Sequence, residues 1–201
     1  MYIERFLAAH AADVQGRVAE IYEPTYTQRF GGSRVLRGDV IDAAADAPRA
    51  TLRGDLESGE GVPEGVFDCF ICTQTLSLVL DVRAALEHAR RALAPGGVLL
   101  ATVPGLSHHH LAGDADFPDQ WRFTATGLRR LAVHVFGAES VEVTAWGNVA
   151  VAAAFLYGLA EHEVAPDLFQ RDDPDYEVII ALRAWRPRAA VRGPATSDAG
   201  A

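Results

Sequence analysis

One strand–helix–strand unit in the middle of this chain constrains its fold more than any other feature. Residues 67–73 (FDCFICT) and 98–103 (VLLATV) are continuous apolar runs, and residues 82–93 (VRAALEHARRAL) between them repeat apolar side chains at helical spacing. A short run that is apolar on both faces fits a central parallel strand covered from two sides. In the helix, Val82, Ala85, Leu86, Ala89 and Leu93 share one face, and Asp81 stands where an N-cap belongs. Pro95-Gly96-Gly97 is expected to stop the helix and turn the chain into the next strand. Two parallel strands joined by a helix need a right-handed crossover, which commits the surrounding chain to an α/β sheet.

The flanking segments keep the same alternation. Residues 2–13 have helical spacing, with Ile3, Phe6, Leu7 and His10 on one face. Strands are expected at 18–22, at 34–40 closing on Asp39, and at 50–56 closing on Asp55. Beyond the central unit come a helix over 123–135 capped by Thr124, a strand over 140–146, an apolar helix over 149–160 capped by Asn148, and a last strand over 177–185. These amount to a three-layer, Rossmann-like sandwich whose seven-stranded sheet is mainly parallel with an antiparallel last strand. Residues 1–187 are expected to form one domain. Residues 188–201, rich in Ala, Gly and Pro without a period, are expected to be a disordered tail.

Charge excludes one class of partner. The net charge is −9 and no basic run is present, so nucleic acid, which needs clustered Lys and Arg, is disfavoured. Lysine is absent and Ala and Gly are abundant, as in proteins of GC-rich bacterial genomes. No segment has the basic start and apolar core of a signal peptide, and no apolar run reaches membrane-spanning length. A cytoplasmic protein is expected. Cys69 and Cys72 form a CxxC pair, but on a strand residues three apart point to opposite faces, so buried, unpaired thiols are expected rather than a redox or metal site.

In an open α/β sheet ligands bind at the carboxyl ends of the strands, near the reversal of strand order. Glu20, Asp39 and Asp55 fall in or at the ends of the first three strands. The stretch after the first strand, EIYEPTYTQRFGG (20–32), lies where a glycine-rich loop would be expected, yet Tyr22, Pro24 and Tyr26 hold the spaced glycine positions. Two readings of it stand. Thr25 and Thr27 open a short helix whose backbone N–H groups receive an anion, or Pro24 and the tyrosines close the pocket. Gly31-Gly32 offers a later turn. His108-His109-His110 follows the fifth strand with Asp114, Asp116 and Asp119 nearby; it is either a solvated loop or the source of a general base, and adjacent histidines make a weak metal motif. Trp121 and Phe123 are read as anchors of this loop or as a substrate wall.

The runs VPEGVFDCFICTQTLSLVLD (62–81) and LAPGGVLLATVPG (93–105) resemble class I S-adenosylmethionine-dependent methyltransferases. RVLRGDV resembles that family's second strand, ATLRGDL its third, and PDQWRFTATGLRRL (118–131) a stretch after its fifth strand. The resemblance covers residues 14–187. It implies S-adenosylmethionine as cofactor, with Glu20 as first-motif acid and Tyr22 in the adjoining loop. It further implies Asp39 and Val40 at the ribose, Asp55 and Leu56 at the adenine, and Thr73 and Gln74 beside the methionine part or the acceptor. The missing glycines, and Ser77-Leu78 where many members carry an acid and a His, are departures. The function expected on this resemblance is methyl transfer to a small molecule such as a sugar or secondary metabolite, with His109 as general base, Gln74 orienting and no metal. The alternative is a methyltransferase-like binding or partner protein, without normal cofactor binding, beside a biosynthetic enzyme. A homo-oligomer fits either. The lack of G-x-G-x-x-G argues against a dinucleotide enzyme.

Overall fold

The computed structural model describes residues 1–44, 46–108 and 119–188. Seven strands form one sheet: β1 (Gly16–Ile21), β2 (Val35–Asp42), β3 (Leu52–Arg53), β4 (Phe67–Thr73), β5 (Leu93–Pro104), β6 (Val141–Trp146) and β7 (Ile179–Trp185). The α-helices are α1 (Tyr2–Ala9), α2 (Val82–Ala92), α3 (Ala125–Phe136) and α4 (Val149–Leu156). The spatial order is β3-β2-β1-β4-β5-β7-β6, parallel through β5, with β7 antiparallel to both of its neighbours. This is the expected Rossmann-like sheet with its antiparallel last strand.

Strand alternation sorts the core into layers. Ala19, Ile41, Phe70, Cys72, Leu99 and Ala101 face α2 and α3, whose Ala85, Leu86, Ala89, Leu128 and Ala132 complete one cluster. Val18, Cys69, Ile71 and Leu100 face the opposite side and pack on Phe6 and Leu7 of α1. Cys69 and Cys72 therefore lie in different clusters, both buried and free. Burial pushes both thiols up, that of Cys72 to about 12, which leaves them un-ionised and inert at neutral pH.

The helices begin where their side chains can bond the free N–H groups. Asp81 accepts from Ala84 N at 2.9 Å, Thr124 from Gly127 N at 3.1 Å and Asn148 from Val151 N at 2.9 Å. Asn148 also donates to the carbonyls of Leu168 and Arg171, both at 2.7 Å. Asn148→Ala is expected to cost about 1–2 kcal/mol, because a cap is lost and two carbonyls lose their donor. Urea unfolding checks it, and a loss under about 0.5 kcal/mol would contradict it.

Several boundaries differ from expectation. α4 ends at Leu156 rather than at 160, because Gly158 takes φ 75° and its N–H and that of Leu159 bond back to Phe155 O and Ala154 O, a helix stop that suits glycine. Pro95-Gly96-Gly97 lies inside β5, not in a free turn. Its residues bulge where the register passes from Phe67↔Leu93 to Cys69↔Val98, and Gly96 N bonds Arg186 O at 2.7 Å. β3 is two residues long and β2 runs on to Asp42. The tail expected at 188–201 lies, Arg188 apart, outside the described residues.

Candidate functional site

β1 has β2 on one side and β4 on the other, so the strand order reverses beside it. Glu20 sits near the end of β1 and is 3% exposed. Its two carboxylate oxygens accept the backbone N–H groups of Tyr26 at 3.0 Å and Thr27 at 2.7 Å. The N–H donors expected at the start of this segment do hold an anion, and it is the chain's own. Burial raises the Glu20 pKa, an effect that the bonds from Thr27 and Tyr26 only partly offset. The segment then winds through a π-helical turn (Thr27–Gly31) and a 3₁₀ turn (Gly32–Arg34).

Tyr22 follows β1 with φ 73°, the left-handed conformation for which glycine is ordinarily needed. Its N–H bonds Ile41 O at 3.1 Å, and the residue is 68% exposed. Tyr26 is half-buried on the α1 side and stacks on Phe30 with centroids 6.1 Å apart. The two tyrosine rings thus leave the first loop by different routes, one to solvent and one to the core.

Asp39 lies three residues short of the end of β2, beside Ala19, and is 2% exposed. Arg17 Nε reaches its Oδ2 at 2.7 Å, and Arg37 Nη2 its Oδ1 at 2.9 Å. Both oxygens are held within the sheet. Val40 is tied by its N–H to Thr51 Oγ1 at 2.9 Å. The carboxylate at the strand end belongs to Asp42, which is 8% exposed and accepts Ala44 N at 2.9 Å. Sequence reasoning passed over Asp42; the apolar pair Val40-Ile41 was the signal that β2 continues. Asp55 accepts Glu57 N at 2.8 Å and Ser58 Oγ at 2.9 Å, closing its own turn, while Leu56 packs in the core.

Across the reversal, Thr73 ends β4 and Gln74 takes φ 55°. Gln74 N bonds Thr102 O at 2.7 Å and its Nε2 bonds Thr102 Oγ1 at 3.1 Å, so β5 fixes both backbone and side chain. His109, His110, Asp114 and Asp116 lie outside the described residues. The neck of that segment is described: Arg122 donates to both Asp119 oxygens at 2.6 Å and to His108 O at 2.7 Å. Trp121 Nε1 donates to Val79 O at 2.8 Å, and Gln120 N and Trp121 N both donate to Ser77 O. Trp121 is thus an anchor, and it holds the neck beside the Gln74 turn. No sequence pattern marked Arg122.

A cleft of about 450 Å³ opens one strand further on, lined by Gly105, Leu106, Phe123, Thr124, Tyr176 and Glu177 among others. A Cβ at Gly105 would stand 2.1 Å from Glu177 O, so glycine lets the two chains meet there. Glu177 in turn accepts Ala125 N at 2.8 Å, at the start of α3. Among the described residues no group of three His, Cys, Asp or Glu side chains is placed to hold a metal, and no helix is long and apolar enough to cross a membrane.

A family profile described as a methyltransferase domain matches residues 8–143, more than half of the chain. No curated protein sequence matches it. Among solved structures it resembles the putative methyltransferase of Haloferax volcanii in complex with the Trm112 methyltransferase activator (TM-score 0.58, 13% identity, 92% of each chain). It also resembles the YcgJ protein of Bacillus subtilis (TM-score 0.56, 13% identity, 92% of this chain and 99% of that one). A SAM-dependent methyltransferase from Archaeoglobus fulgidus is similar too (TM-score 0.58, 10% identity, 91% of this chain and 92% of that one).

Proposed function

Because this chain belongs to the methyltransferase domain family, we propose that it transfers the methyl group of S-adenosylmethionine to a small-molecule acceptor. The observation that carries this reading is the loop after β1. Tyr22 keeps a left-handed backbone at the reversal of strand order while its side chain stands in solvent, so the loop is rebuilt around Glu20 and not closed by its tyrosines.

The residues present fit the cofactor. Asp42, at the end of β2, is our ribose acceptor in place of Asp39, whose oxygens are held by Arg17 and Arg37. The turn at Asp55 and Leu56 borders the adenine, and Thr73 with Gln74 borders the methionine end. When bound, S-adenosylmethionine supplies a methyl group on a positively charged sulfur, ready for in-line attack. The chain then has to align the acceptor and keep water out. The bonds that Gln74 donates to Thr102 support an orienting role for that side chain. His109 is retained as general base, a role for which neutral imidazole is suited. The cleft beside β5 has the size of a small-molecule site, which supports a small acceptor. Association with a partner protein belongs to the same reading; the similar archaeal methyltransferase occurs in a complex with an activator.

Calorimetric titration with S-adenosylmethionine tests the proposal. Saturable binding is expected, and Asp42→Ala should weaken it about tenfold or more, the worth of a hydrogen bond to a charged group. A folded protein that binds nothing at millimolar ligand overturns the reading in favour of the non-enzymatic partner protein.

A further inference from the structure

Among the described residues two non-glycine backbones are left-handed, Tyr22 (φ 73°) and Gln74 (φ 55°). They follow neighbouring strands, β1 and β4, and so flank the reversal of strand order. Such conformations carry a steric cost and persist where the surroundings enforce them, most often at ligand sites. For Gln74 the surroundings are visible: its N–H and its Nε2 donate two hydrogen bonds to Thr102. For Tyr22 only backbone bonds are seen, its own N–H to Ile41 O at 3.1 Å and, across the turn, Glu23 N to Ile21 O at 2.9 Å. Its ring is largely solvated and, among the described residues, makes no ring contact and no hydrogen bond through its hydroxyl. Folding alone would be served better there by glycine.

We infer that Tyr22 is a cofactor-positioning residue whose ring covers the charged sulfur of S-adenosylmethionine and favours it over the demethylated product. The inference rests on the cofactor reading above. The strand order supports it: the sheet runs β3-β2-β1-β4, and the cofactor reading puts adenine at the turn after β3, ribose at Asp42 on β2 and the methyl-transfer region at β4. Tyr22 therefore stands between ribose and transferred methyl. An aromatic face attracts a cation, the donor's sulfur is cationic, and the thioether left after transfer is neutral.

The test compares the parent chain with Tyr22→Gly, Tyr22→Asn and Tyr22→Phe. Each is melted without ligand and titrated with S-adenosylmethionine and S-adenosylhomocysteine. Without ligand, Y22G should melt about 2–4 °C above the parent as the backbone relaxes. Y22G and Y22N should bind S-adenosylmethionine about three- to tenfold more weakly, with a smaller loss for S-adenosylhomocysteine. Asparagine tolerates the left-handed backbone, so Y22N separates the ring from the strain, and Y22F should follow the parent. Unchanged donor affinity in Y22G and Y22N, or equal losses for the two ligands, overturns the inference and leaves the cofactor reading standing. A folded parent that binds neither ligand overturns both.

Discussion

Replacing Asp39 with alanine is expected to destabilise the protein by about 3 kcal/mol at neutral pH, lowering its melting point by about 6–12 °C for a chain of this size. Asp39 is 2% exposed and bonds Arg17 and Arg37, which reach it from β1 and from its own strand. Arg37 has a side chain 59% exposed and can turn to water when the carboxylate is gone. Arg17 cannot do so as freely. Its side chain is 26% exposed, its guanidinium lies 5.1 Å over the Phe67 ring, and its backbone N–H is fixed to Asp68 Oδ2 at 2.8 Å. The loss therefore falls mainly on one stranded, partly buried cation, which puts it at the lower end of the range for a broken buried pair.

The same change predicts a pH signature. Burial by itself would raise the Asp39 pKa, but the hydrogen bonds and charges of Arg17 and Arg37 outweigh it, and the net shift is downward. A carboxylate with a lowered folded pKa contributes stability that is present above its ordinary value and is lost as pH falls through the folded value. The gap between parent and D39A should be full at pH 7 and narrow in acid. Urea unfolding at both ends checks it; a gap under about 1 kcal/mol at pH 7, or one that widens in acid, contradicts it. D39A should also keep its affinity for S-adenosylmethionine within about threefold, unlike D42A. The reverse pattern would return the ribose role to Asp39.

The strand end at Asp42, three residues past Asp39, shows where sequence reading reaches its limit. The central strands are legible because they are runs of mostly apolar residues with no other sensible place to go: FDCFICT became β4 without a residue's difference. Where a strand ends is a matter of partners. β2 extends to Asp42 because Ile21 of β1 pairs with Ile41 and Arg53 of β3 pairs with Asp42, and neither pairing is written in RVLRGDV. Local turn chemistry was overruled in the same way at Pro95-Gly96-Gly97, where the chain pairs with β4 both before and after the glycines. Tyr22 is the extreme case. Residue type argues against a left-handed backbone there, and only the position after β1, where related chains are expected to have glycine, hinted at one. The helix caps needed no such context, since Asp81, Thr124 and Asn148 act within three residues of themselves.

Glu20→Ala should be nearly as damaging as D39A, at about 2–4 kcal/mol, and should titrate in the opposite sense. The alanine leaves the N–H groups of Tyr26 and Thr27 without their acceptor, and each such buried donor costs about 1–3 kcal/mol. Thr27 is 5% exposed, so water does not readily replace the carboxylate there. Burial raises the Glu20 pKa and the bonds from Thr27 and Tyr26 only partly restrain it, so the net shift is upward. A raised folded pKa means that the contribution is full below the ordinary carboxylate value and declines as pH rises through the folded one. The gap between parent and E20A should therefore be widest in acid and shrink toward neutral pH, where the gap for D39A is at its fullest. Glu20 also holds the turn from which Tyr22 and the rest of the first loop depart, so the variant should lose S-adenosylmethionine binding at temperatures where circular dichroism still reports a folded sheet. An E20A protein that is as stable as the parent and binds the cofactor normally would mean that the two amides find water or another acceptor, and that the loop holds its shape without the acid.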